Sequence, residues 1–194
     1  MRNAVNEKAI AITDLDDFCV ENSEAGLLMT LHKIMPEFKV TLFTIPGLCS
    51  QSFIDTWKAK SWVDLVPHGW HHSTSRECEH WTYEESIEYL EKIEPMGMTK
   101  GFKAPGWLIS NGMYRALLER GYWVADQAYN NDRRPKDLPV YLLEGGGTEV
   151  KIHGHIGHRG GHNNNEIRLI IEVILMNSRL QFDFVKDHVR TSEA

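Results

Sequence analysis

SWVDLVPHGWHH, residues 61–72, passes without a break from apolar, β-branched residues into a cluster of histidines. Residues 62–66 have the composition of a buried strand, and Pro67 removes the backbone donor that would continue it. The strand therefore stops directly before His68, and His68 and His72, four residues apart, stand at its C-terminal end. Polar chemistry gathered at the C-terminal ends of strands is the mark of parallel α/β architecture.

Working outward, the same rhythm repeats. Upstream, KAIAITDL (8–15) reads as a first strand, and KVTLFTI (39–45) as a second. Between them lies a helix over 23–35, with Ser23 as N-cap and Leu27, Leu28, Leu31 and Ile34 facing inward. A short helix over 52–60 leads into the quoted strand. Downstream, Thr82 and Glu85 stand at capping-box spacing and open a helix with Ile87, Leu90 and Ile93 on one face. KGFKAP is a strand that must stop before Pro105, SNGMYRALLERG is a helix closed by Gly121, and YWVAD, VYLLE and TEVKIHGH are further strands. A helix over 166–176, after cap candidates Asn163 to Asn165, and a last strand FDFV complete the pattern. The expected fold class is α/β, a parallel barrel or open sheet, formed by residues 1–194 as a single domain.

Composition excludes several function classes. With 194 residues, 42% apolar and 25% charged, the chain is long enough for one buried core and has ordinary globular usage. A net charge of −6 gives no basic footprint for nucleic acid or anionic lipid. The apolar runs are too short to span a bilayer and the N-terminus lacks a signal-peptide core, so no membrane partner is expected. Cys19, Cys49 and Cys78 are odd in number and show no CxxC pair, which makes a reducing cytoplasm the simplest compartment.

Four strand ends carry the candidate chemistry: LDD, HGWHH, KAPGW and HGH. Asp16 and Asp17 point to opposite faces of a regular strand, but at a strand-to-loop transition both can enter one site, one as ligand and one as base. His68 and His72 are spaced to share a divalent ion, and a carboxylate from another strand end makes a two-histidine, one-carboxylate set with open positions. His71, His80, His158 and His162 are expected at the surface, and Trp107 is either core or the wall of a groove.

These residues resemble the NodB-type polysaccharide deacetylases of carbohydrate esterase family 4, in the branch whose second motif reads HGxxH. The family's first motif, T-F-D-D, is similar to Asp14-Leu15-Asp16-Asp17, and its second, H-T-x-x-H, to His68-Gly69-Trp70-His71-His72. KVTLFTIPG resembles its second strand, FKAP its arginine motif R-x-P, and VKIHGH its last motif, so the likeness runs from about residue 9 to residue 155. The resemblance implies a NodB-like distorted (β/α) barrel of about seven parallel strands. It implies Asp16 as catalytic base and Asp17, His68 and His72 as ligands of one divalent ion. It also implies His153 as general acid, with His155, two residues along the same strand face, as the second candidate. Asp126 and Asp132 are the candidates to support that acid. Lys103 stands where the family has an arginine that orients the base, and lysine offers a point charge in place of a planar fork.

The expected activity is metal-dependent hydrolysis of the acetamide of an N-acetylated sugar or glycan. Asp16 takes the proton of water and His153 protonates the leaving amine. Ligand type favours zinc, and cobalt, nickel or iron would accept the same set. Two rivals stand beside this reading: a metal-dependent hydrolase of another non-peptide amide, and a carbohydrate-binding module on a decayed deacetylase scaffold.

Overall fold

The computed structural model of the protein describes residues 8–22, 24–127, 132–144, 148–156, 165–177 and 179–191. The cap candidates Ser23, Asn163 and Asn164, and the histidines His158 and His162, lie outside the described residues. The elements alternate as the hydrophobic pattern requires. They are β1 (Ala9–Phe18), α1 (Ala25–Ile34), β2 (Val40–Thr44), α2 (Gln51–Lys58), β3 (Val63–Pro67), α3 (Tyr83–Ile93) and β4 (Gly101–Lys103). There follow α4 (Asn111–Glu119), β5 (Trp123–Asp126), β6 (Val140–Leu142), β7 (Val150–His155), α5 (Asn165–Met176) and β8 (Leu180–Asp183). Thr82 and Glu85 form the reciprocal capping box at the start of α3.

The strands make two parallel sheets. One has the order β3-β2-β1-β7, with β8 also paired to β1, and the other the order β4-β5-β6. Ala11 pairs with both Val150 and Phe182, so β7 and β8 flank β1 on opposite sides, and β8 shares the side of β2. A parallel bridge from His68 to Lys103 joins the two sheets, and an antiparallel bridge from Val140 to Arg190 ties β6 to the C-terminal segment. The result is the distorted barrel expected, with eight strands among the described residues where about seven were anticipated.

Period-two alternation sorts side chains between the barrel interior and the helices. Leu42, Val63 and Leu65 face outward into a core with Leu28, Leu31, Ile54 and Trp57 of α1 and α2. Ile12, Phe43, Val66, Trp123, Ala125, Tyr141 and Val185 plug the interior. Continuing the same inward rows toward the strands' C-terminal ends, Ile12 is followed by Asp14 and Asp16, and Val66 by His68. The apolar plug is thus the floor beneath a polar site.

Three details differ from the sequence expectations. β1 continues through Phe18 instead of stopping at Leu15. The last strand is LQFD, not FDFV, because Val185 leaves the ladder to enter the interior plug. Ile34 is 63% exposed: it lies roughly 60° around the helix from Leu31 and roughly 120° from Leu28, beside the buried stripe. No helix among the described residues is long and apolar enough to cross a membrane.

Candidate metal and acid–base site

The first motif solves a geometric problem, since two adjacent residues of a regular strand cannot face the same way. Between Leu15 and Phe18, β1 advances three positions while β2 advances two, from Leu42 to Thr44, so β1 carries a bulge. Asp17 sits at φ 68°, in the left-handed region. That twist brings Asp17 to the side that Asp16 already faces, and both carboxylates are buried.

The second motif is held from below. His68 is 1% exposed, and its Nδ1–H donates to the Lys103 carbonyl at 2.9 Å, which leaves Nε2 bare. Burial pushes the His68 imidazolium pKa down to about 4, outweighing the attraction of Asp16, so the ring is neutral at ordinary pH. The loop after His68 wraps around the Glu77 carboxylate. Its Oε2 accepts from the backbone N–H groups of Trp70 and His72, each at 3.0 Å, and its Oε1 accepts from that of His71 at 2.9 Å. Gly69, at φ 61°, is required there, because a Cβ would lie 2.3 Å from Glu77 Oε2. His72 itself takes φ 48°, which turns its ring back toward Asp17.

Asp17 Oδ1 lies 3.6 Å from His68 Nε2 and 3.3 Å from His72 Nε2. A tetrahedral ion with ligand distances near 2.0–2.1 Å has ligand–ligand edges of about 3.3 Å, so this donor set fits a zinc-like ion in both chemistry and spacing. Asp17, His68 and His72 are accordingly brought together as the sequence reading expects.

Lys103 is also where that reading places it, and it is not a solvated strand-end lysine. It is 1% exposed, with Nζ 2.6 Å from Asp16 Oδ1 and 3.9 Å from Asp14 Oδ1. Its ammonium lies over the rings of Trp107, at 4.0 Å, and Phe43, at 4.7 Å. Burial raises the Asp16 pKa, but Lys103, joined by His68 and His153, outweighs it and holds the carboxyl well below the usual carboxylate range.

β7 adds the histidines. His153 pairs with Asp14 and His155 with Asp16 across the parallel ladder, all on the interior face. His153 Nδ1 is 2.6 Å from Asp14 Oδ1, while its Nε2 faces Asp16 Oδ2 at 4.0 Å. The support for His153 is therefore Asp14, and the two aspartates proposed for it are elsewhere. Asp126 accepts from Arg134 Nη1 at 2.6 Å, the Gln127 backbone N–H at 2.8 Å and the Tyr114 hydroxyl at 3.2 Å. Asp132 is exposed on the loop beyond β5.

Chains of the same architecture are known. Over 96% of this chain and 94% of the other, it superposes with TM-score 0.62 and 16% identity on the family 4 carbohydrate esterase domain of a multidomain xylanase from a Trinervitermes trinervoides hindgut metagenome. The family 4 acetyl xylan esterase of Clostridium thermocellum, solved in complex with a cobalt ion, aligns at TM-score 0.64 with 13% identity, over 92% of this chain and 89% of that one. A family 4 carbohydrate esterase of Streptomyces lividans, in complex with acetate, gives TM-score 0.62 and 12% identity over 96% and 98%. The chain has the fold of the family 4 carbohydrate esterases. No protein-family model matches the sequence, and no curated protein does.

Three residues that brace the site escaped the sequence reading: Asp14 behind His153, Glu77 under the His72 loop, and Glu166, whose carboxylate lies 3.3 Å from His155 Nδ1. Asp14 carried a signal, for it precedes Asp16 by two as His153 precedes His155, and parallel strands pair such rows. Glu77 carried none, since its role depends on a loop conformation. Glu77→Ala strips three backbone donors of their acceptor, and the expected cost is about 2 kcal/mol in urea unfolding, with divalent-ion affinity falling roughly 10–100-fold as His72 is released. An unchanged unfolding midpoint together with unchanged affinity would remove Glu77 from the design.

Proposed function

We propose that this chain is a metal-dependent deacetylase that hydrolyses the acetamide of an N-acetylated sugar or glycan. The observation that carries the proposal is the adjacency of two functions on one bulged strand. Asp17 belongs to a metal-sized donor set with His68 and His72, while Asp16, one residue earlier, is an ionised carboxylate held by Lys103. The fold shared with family 4 esterases supports the same reading, as does the cobalt ion in the Clostridium thermocellum esterase structure.

The chemistry a divalent ion supplies at Asp17, His68 and His72 is Lewis acidity toward a carbonyl oxygen and toward water. Zinc suits the ligands best, and cobalt, nickel or iron fit the same set. Asp16 accepts the proton of the attacking water, and Lys103 keeps it ionised until then. His153 delivers a proton from Nε2 to the departing amine, while Asp14 holds Nδ1–H and stabilises the imidazolium. His155 shares the face with His153, but its carboxylate contact is longer, 3.3 Å to Glu166 against 2.6 Å from His153 to Asp14, so His153 is our choice for the acid. Trp107, at φ 63° and half-buried, stands 5.9 Å from the His153 ring and offers a flat wall for a sugar. An intact Lys103–Asp16 pair speaks against a decayed, binding-only scaffold.

The first test is turnover of N-acetylated chito-oligosaccharides, with acetylated xylan and small cyclic amides as controls. Asp16→Asn should retain its metal and lose roughly a hundredfold or more in kcat, the usual weight of a positioned general base. His72→Ala should lose the ion from the Asp17 set by emission spectroscopy after dialysis against trace metal. Near-normal turnover in the first variant, or an occupied set in the second, contradicts the assignments.

A second test uses the electrostatics of the base. With the ammonium gone in Lys103→Met, burial dominates and the Asp16 pKa rises. A base works only when ionised, so the acidic limb of the kcat/KM profile should move to higher pH. A limb at the wild-type position would show that Lys103 does not tune Asp16.

A further inference from the structure

The same pocket contains a second convergence of ligand atoms that the deacetylase reading does not use. His155 Nε2 lies 3.9 Å and His153 Nε2 4.0 Å from the same oxygen, Asp16 Oδ2, and the donor atoms of these three residues fall within 4.8 Å of one another. Each ring is backed by a carboxylate at Nδ1: Asp14 Oδ1 at 2.6 Å for His153, and both oxygens of Glu166 at 3.3 Å for His155. A carboxylate accepts, so each Nδ1–H donates to its carboxylate, and each Nε2 faces Asp16. This carboxylate–histidine arrangement is the one that orients metal-binding imidazoles.

Both Nε2 atoms stand too far from Asp16 Oδ2 for a direct hydrogen bond, at a spacing that an ion placed between the three could close. We propose that Asp16, His153 and His155 form a second and weaker site for a divalent transition-metal ion.

Asp16 supplies one carboxylate oxygen, and the carboxylates of Asp14 and Glu166 stand behind the two histidines. Lys103 engages Asp16 through Oδ1, so Oδ2 is the oxygen turned to the histidines. The ammonium's proximity is the reason this site binds less tightly than the first. Access is open, since the His153 and His155 side chains are 21% and 23% exposed. The backbone is shaped for it as well: Gly154 sits between the two histidines, and a Cβ there would lie 2.5 Å from Ile170 Cδ1 and 3.0 Å from Glu166 Oε1. A side chain at 154 would push Glu166 from its place behind His155.

An ion held there would occupy Asp16 and His153 together. If these are base and acid, excess metal inhibits turnover; that consequence rests on the proposed function, whereas the binding does not.

Equilibrium dialysis of the full chain against Co²⁺, with emission spectroscopy of bound metal, separates the two. Wild type should take up two equivalents, the second at least tenfold weaker. His155→Ala should stop at one, and His72→Ala should lose the tight equivalent and keep the weak one. Glu166→Gln should leave the tight equivalent and weaken the other by roughly 10–100-fold, which keeps the proposal testable if His155→Ala does not fold. Saturation of wild type at one equivalent in millimolar Co²⁺, or two equivalents still bound by His155→Ala, overturns the second site. Absence of turnover on every acetylated glycan would sink the deacetylase reading while leaving these counts interpretable.

Discussion

Lys103 makes three interactions on which both sheets depend. Its backbone bridges His68 and so joins β3 to β4, its carbonyl fixes the His68 ring, and its ammonium neutralises Asp16 with Asp14 close by. Two buried carboxylates on one strand face are tolerable only with a counter-charge between them, and removing one partner of such a pair costs about 3–5 kcal/mol. The lysine stem also fits the space under Trp107 and over Phe43, where an ammonium gains from both ring faces. A point charge is well suited here because it serves two carboxylates at 2.6 and 3.9 Å instead of gripping one in a fork.

Two kinds of local structure divide the labour. The proposed acid–base groups, Asp14, Asp16 and His153, come with His155 from a regular parallel ladder, whose strand spacing of about 4.8 Å sets side chains of neighbouring strands within reach of each other. Of the proposed metal ligands, His68 continues the β3 ladder and the other two come from departures from regularity. Asp17 and His72 both occupy the left-handed region, and with Trp107 they are all the non-glycine residues with positive φ among the described residues. Such conformations persist only where the surroundings hold them: the β2 ladder for Asp17 and the Glu77 carboxylate for His72. Two of the three strained positions are thus ones where a proposed ligand is aimed, and the third, Trp107, stands beside the His153 ring.

This division explains what was legible in the sequence. The α/β rhythm and the strand ends were readable because period-two and helical patterns are local, and Thr82 with Glu85 marked a helix start to the residue. Spacing marked the His68–His72 pair, while the choice of Asp17 as the proposed third ligand and the place of Lys103 came from the resemblance of LDD and FKAP to the family's motifs. Asp14 was passed over because it stands where the family motif has a threonine, although its own alternation with Asp16 matched that of the histidines. Glu77 and Glu166 act through a loop and across a helix–strand gap, and no period in the chain reports such contacts. The end of β1 was misjudged because a bulge lets a strand continue through residues that read as a turn.

The central claim is that Asp17, His68 and His72 hold one catalytic ion while Asp16 stands beside it, bound to Lys103. Anomalous diffraction from crystals grown with one equivalent of Co²⁺ tests this most directly. The account predicts the strongest anomalous peak within about 2.0–2.2 Å of an Asp17 oxygen and of Nε2 of His68 and His72, with Lys103 Nζ still on Asp16. A strongest peak anywhere else, or Asp16 itself as a ligand of that ion, would contradict it.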